Sequence, residues 1–237
     1  MTADTAAGLP AELAGLPSVT LDEGQLGDLE LLLDGVFAPL RGFMTEAEAA
    51  SVAAHGVLPD GTPWPVPVTL EVPAASLKPD TARLLLADLE GTPLAVLDII
   101  ERMAADDLVR LSGPVTACRP PEHGPFRHLR RRPAETAAEL AGGPVLAYAT
   151  RAPLHGHEIG QLRHAAGQLK ARLLLLPLVA GPAETVNRPE TLVRTVRAAT
   201  RHLPPGTLVI PVPLRPRRAA PGDELALRAL VAAAYGA

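Results

Sequence analysis

The segment Thr150-Arg151-Ala152-Pro153-Leu154-His155-Gly156-His157-Glu158 gathers a hydroxyl, a guanidinium, two imidazoles and a carboxylate into a short stretch. It follows Val145-Leu146-Ala147-Tyr148-Ala149-Thr150, an apolar run of strand type, and it leads into Glu158 to Lys170, whose spacing is helical. A turn from the carboxyl end of a strand into a helix exposes free N–H groups and the positive end of the helix dipole. Arginine and histidine beside such a turn suit a phosphate-type anion. Two plainer readings stay open. In an arginine-rich chain Arg151 and Arg215 fit a solvated surface, and His155 fits an ordinary polar residue at a helix start.

The elements around this turn alternate. Ala171 to Leu178 is a second buried-type strand, Glu190 to His202 a helix, Thr207 to Ile210 a third strand and Glu224 to Tyr235 a third helix. Strands alternating with helices imply a parallel sheet. The first half differs. Leu26 to Leu33 is a short helix ended by Gly35, and Phe37 to Phe43 is a turn with aromatic anchors. Thr45 is placed as the N-cap of a helix running to His55, with Glu46 and Glu48 in its first turn. Val66 to Val72 has strand character, its Pro67 tolerable only at an edge or bulge. Arg83 to Asp88 and Pro93 to Ile100 flank Glu90-Gly91 as a β-hairpin. Asp22, Glu23, Asp28 and Glu30 are expected on a solvated helix face. Residues 119–136, rich in Pro, Arg and His, are expected to form an exposed connector. The reading is therefore a flexible lead-in over residues 1–18, a β-rich domain over 19–140 and an α/β domain over 141–237.

Composition narrows the function classes. Of 237 residues, 47% are apolar but only 3% aromatic, so the core rests on Leu, Val and Ala. The net charge of −4 gives no basic excess for nucleic acid, and aromatic stacking platforms are nearly absent. The basic run Arg127, Arg130, Arg131 and Arg132 is expected to be a solvated linker. Cys118 is the single cysteine, which rules out an internal disulfide and a cysteine-based zinc site. No apolar run suits a membrane span and no secretory leader is evident, so a cytoplasmic protein is expected.

The stretch Asp28-Leu29-Glu30-Leu31-Leu32-Leu33-Asp34-Gly35-Val36-Phe37-Ala38-Pro39-Leu40-Arg41-Gly42-Phe43-Met44 resembles the signature near the start of ATP sulfurylases. Asp60-Gly61-Thr62-Pro63-Trp64-Pro65-Val66-Pro67-Val68-Thr69-Leu70 resembles that family's DGTxWPIPVTL segment, and Asp88 to Gly91 with Leu94 to Leu97 its next hairpin. The resemblance implies a PUA-like β-rich domain (α+β) followed by an α/β Rossmann-like nucleotidyltransferase domain of the HxxH type. It also implies the activity: Mg-ATP and sulfate as substrates, giving adenylyl sulfate and pyrophosphate, without a prosthetic group or a resident metal.

The family motif Q-x-R-N-P-x-H-x-x-H falls on Ala149 to Glu158. Arg151, Pro153 and His155 match it. The Gln is replaced by Ala149, the Asn by Ala152 and the second His by Glu158. By resemblance Arg151 and His155 are the catalytic residues, Arg151, Arg215 and Thr150 hold sulfate, and His155 with the nearby His157 holds the nucleotide. Ile210 to Arg215 resembles the LPLxMR strand and loop. Pro221 to Ala229 stands where the family has GPREAxxHA, without its Arg and its His. Family members continue into a further strand and a GRDHAG loop, whereas the sequence ends at Ala237, so the second domain is expected to be incomplete. Two readings follow. One is a sulfate adenylyltransferase of impaired activity. The other is a non-catalytic relative, a regulatory or scaffold subunit of sulfate assimilation that pairs with another sulfate-activating subunit or with itself.

Overall fold

The computed structural model describes residue 13 and residues 15–118, 126–180, 188–217 and 219–237. Its first half runs β1 (Ser18–Thr20), α1 (Glu23–Leu33), β2 (Gly42–Phe43), α2 (Glu46–His55), β3 (Leu70–Pro73), β4 (Arg83–Ala87), β5 (Pro93–Asp98), β6 (Glu101–Ala105) and β7 (Leu108–Ala117). These strands form one sheet of order β1-β4-β5-β7-β2, with β3 and β6 also paired to β7. All pairs are antiparallel except β1 with β4. The β4–β5 hairpin closes as the sequence implies. Asp88 Oδ1 accepts the N–H groups of Glu90 and Thr92 at 3.1 and 2.7 Å, and Gly91 takes a φ of +82° that suits glycine.

Both helices of this half start on capping boxes. Asp22 Oδ1 accepts from the Gln25 N–H at 2.7 Å while Gln25 Oε1 accepts from the Asp22 N–H at 3.0 Å. Thr45 and Glu48 repeat the pattern at α2, which ends on Gly56 in the left-handed region. The expected strand over Val66 to Val72 is shorter than its apolar alternation suggests. Only Leu70 onward joins β7, because Pro65 and Pro67 have no N–H to give to a ladder. The expected solvated face of α1 is also corrected: Asp28 and Glu30 are buried. Leu26 to Leu32 is buried on every side, so the helix has no wet face there for the two carboxylates.

The second half runs α3 (Pro133–Leu140), β8 (Val145–Thr150), α4 (Gly156–Leu169), β9 (Arg172–Pro177), α5 (Pro189–Ala199), β10 (Leu208–Val209) and α6 (Pro221–Ala234). β10, β9 and β8 lie side by side, all parallel, as the alternating pattern implies. Helices cover both faces of β9: Leu174 and Leu176 enter one cluster, Leu173 and Leu175 the other. The connector expected over residues 119–136 is partly a helix, since Pro133 starts α3 at a position where proline's missing N–H costs nothing. Residues 119–125 lie outside the described residues. Arg130 is not a solvated linker residue. Its Nη1 lies 2.8 and 2.7 Å from the two oxygens of Glu30. One apolar cluster runs through both halves, joining Leu29, Phe37, Trp64 and Leu84 to Leu176, Val212, Leu227 and Val231. Among the described residues no helix is long and apolar enough to cross a membrane.

Candidate active site

The strand-to-helix turn forms as its sequence implies. β8 ends at Thr150 and α4 begins at Gly156, with His155 in extended conformation as its N-cap. Thr150 shapes the turn. Its hydroxyl donates to the Ala152 carbonyl at 2.8 Å and accepts the Ala152 N–H at 3.0 Å, which commits both of its functions locally.

Arg151 leaves this turn toward the loop after β10. Its Nη1 donates to the Leu214 carbonyl at 2.7 Å, and its Nη2 lies 3.2 Å from Glu224 Oε1 at the start of α6. The side chain is 13% exposed, so it is not a surface arginine. Burial pushes its pKa below the ordinary value, while Glu224 pulls the other way. Glu224 Oε1 also accepts from Arg228 Nε and Nη2, and Glu224 Oε2 is buried without a hydrogen-bond partner.

Arg215 sits next to the carbonyl that Arg151 holds, so the two arginines share one region. Arg215 Nη2 lies 2.8 Å from Asp28 Oδ2, and Arg217 pairs with Asp28 Oδ1. Arg217 also donates to the Pro67 carbonyl at 3.0 Å and lies over the Phe37 ring, 6.0 Å from its centroid. Asp28 is wholly buried, and that burial raises its pKa against the pull of Arg217 and Arg215. Arg215 further lines a cavity of about 400 Å³ with Thr20, Asp22, Gln25, Thr69 and Glu71.

His155 and His157 are exposed in the first turn of α4. The helix start is already occupied. Glu158 Oε2 accepts the His155 N–H at 2.9 Å, and its Oε1 accepts from the Tyr148 hydroxyl at 2.8 Å. These bonds hold the Glu158 carboxyl below its ordinary pKa. Burial and Glu158 together push the Tyr148 phenol up. A carboxylate that replaces the motif's second histidine therefore occupies part of the ground a phosphate would take.

Arg217, Glu224, Arg228 and Tyr148 belong to this network without having been singled out from the sequence, and Asp28 belongs to it although the sequence placed it on a solvated face. Asp28 carried a signal, as a carboxylate at the head of the leucine-rich stretch Leu29 to Leu33. Among the described residues no group of three His, Cys, Asp or Glu side chains is placed to hold a metal ion.

Comparison with known proteins gives a consistent picture. Residues 1–117 match the PUA-like domain model and residues 127–237 the ATP-sulfurylase model. The sulfate adenylyltransferase of Deinococcus radiodurans is 35% identical over 96% of this chain and 66% of its own length. That of Saccharomyces cerevisiae is 30% identical over 90% of this chain and 48% of its own. The solved structure of a hexameric APS kinase from Thiobacillus denitrificans superimposes with a TM-score of 0.85 at 34% identity, over 95% of this chain and 47% of that one. The chain thus spans less than two thirds of the length of these relatives.

Proposed function

The chain belongs to the ATP sulfurylase family, and on that basis we propose that it binds ATP and sulfate and transfers the adenylyl group between them, slowly. A sulfate oxygen attacks the α-phosphorus of ATP and pyrophosphate leaves, so no side chain acts as nucleophile. Arg151 and Arg215 hold the sulfate. His155, with His157 on the same turn, donates to the phosphates as charge gathers on the leaving pyrophosphate. Thr150 shapes the turn that aims Arg151. Magnesium in this reading arrives on the triphosphate. The observation that carries the proposal is the meeting of Arg151 with the loop of Arg215, through the Leu214 carbonyl, beside the helix start that bears His155.

The carboxylates explain why the reaction is slow. Glu224 competes with sulfate for Arg151, and Glu158 competes with phosphate for the start of α4. The same observation favours a second reading, in which the pocket binds its ligands without turnover and the chain regulates or scaffolds another sulfate-activating subunit. The proposal places the chain in the cytoplasm and divides it at residue 140. It includes self-association, suggested by the hexameric state of the Thiobacillus relative.

The test is pyrophosphate release from Mg-ATP with and without sulfate, beside calorimetric titration with ATP and with adenylyl sulfate. Sulfate-dependent release that disappears in His155→Ala is expected. Heat without turnover would leave the regulatory reading. No heat with either nucleotide would remove both.

A further inference from the structure

We infer that α1, in the first half of the chain, is the positioning face for the anion-binding loop of the second half, with Asp28 as the positioning residue for Arg215. The inference rests on the reading of Arg215 as ligand-facing. Gly24, Gly27 and Asp28 are spaced to share one face of α1, and each meets the segment 213–217. A Cβ built on Gly27 would lie 2.2 Å from the Pro213 carbonyl oxygen, and one on Gly24 would lie 2.9 Å from Arg215 Cδ. Gly27 therefore lets the helix come within main-chain contact of the loop, and Gly24 leaves room for the Arg215 side chain. At that distance Asp28 reaches both guanidinium groups. Its Oδ2 meets Arg215 and its Oδ1 meets Arg217, whose other contacts, the Pro67 carbonyl and the Phe37 ring, also belong to the first half.

The arrangement divides the work between the two arginines. Arg217 is 6% exposed and anchors the loop. Arg215 is 28% exposed and lines the cavity; its Nη2 is held by Asp28 and its Nε is buried, while the exposed part of the guanidinium faces the cavity. Leu214, between Pro213 and Arg215, offers its carbonyl to Arg151. A shift of α1 would therefore move both anion-binding arginines.

Two variants and two readouts test this. Gly24→Ala puts a methyl group against the Arg215 stem without altering any charge, and alanine is the better helix former. Asp28→Asn removes the charge that holds Arg215. The first readout is the Arg215 Nε–H resonance, identified by its loss in Arg215→Lys. The second is calorimetric affinity for adenylyl sulfate. Gly24→Ala is expected to melt at or above the wild-type temperature, to shift or broaden the Arg215 resonance while sparing that of Arg151, and to bind adenylyl sulfate about tenfold more weakly, the worth of one charged hydrogen bond. Asp28→Asn is expected to change in the same direction. An unmoved Arg215 resonance in both variants would overturn the inference, as would a moved resonance with unchanged affinity. Tighter binding by Asp28→Asn would also overturn it, because Asp28 would then act by neutralising Arg215. If the wild type has no affinity for adenylyl sulfate, the functional reading alone fails, and the resonance still decides the role of α1.

Discussion

Glu30 offers the sharpest stability prediction. Its side chain is 5% exposed and faces Arg130, yet burial outweighs that pairing and raises its pKa from the ordinary 4.5 to about 7. The unfolded chain gives up this proton near 4.5 and the folded chain only near 7. Between those values the folded state binds more protons, so the contribution of Glu30 to stability is greatest at low pH, falls as the pH rises to 7 and is level above it. At about 1.4 kcal/mol for each pH unit, the interval corresponds to a loss of about 3 kcal/mol. Glu30→Gln removes the titration and keeps the shape. Urea unfolding of both proteins at half-unit steps from pH 4.5 to 8 measures it. Other groups titrate in both chains and cancel in the difference. The wild type should lose about 3 kcal/mol relative to the variant across that range, an order-of-magnitude figure for a paired buried carboxyl. Parallel curves would show that Arg130 compensates Glu30 fully and that the cost of burial has been overstated.

Glu224→Gln should tighten adenylyl sulfate binding about tenfold, since the Glu224 carboxylate no longer competes with the ligand for Arg151, and calorimetric titration against the wild type checks it. Glu158→Ala should destabilise the protein by about 1 kcal/mol in urea unfolding through the lost cap of α4. In the same variant the Tyr148 phenol should ionise at lower pH, read by tyrosinate absorbance, with the more deeply buried Tyr235 titrating later. Gly27→Ala drives a methyl group into main-chain oxygen and should cost about 1–3 kcal/mol, whereas a wild-type unfolding midpoint would deny the close approach of α1 to Pro213.

Local rules made much of the fold legible before any coordinates. The Thr45 cap with Glu48 three residues on, the Glu90-Gly91 turn and the strand–helix alternation after Gly143 each carry their instruction within a few residues, and each appears as expected. The misreadings concern groups whose partners are remote. Asp28 and Glu30 resemble a solvated face because Arg217 and Arg130 lie 189 and 100 positions away. Arg130 looks like part of a solvated linker for the same reason. At the candidate site the motif residues could be placed on the turn from the sequence. Glu158 could be placed there too, as the carboxylate standing where the motif has its second His, whereas Glu224 could not, because it comes to Arg151 only through the packing of α6.

The shared leucine core has a mechanical consequence. Leu29, Phe37 and Trp64 press on the same apolar mass as Leu176, Val212 and Val231, so parting the two halves would wet that mass. Separation of the two halves is therefore opposed by the apolar surface it would expose. On the proposed reading, admission and release then fall to a side chain that exchanges partners, the Arg151 guanidinium passing from Glu224 to an incoming anion while the two halves stay packed.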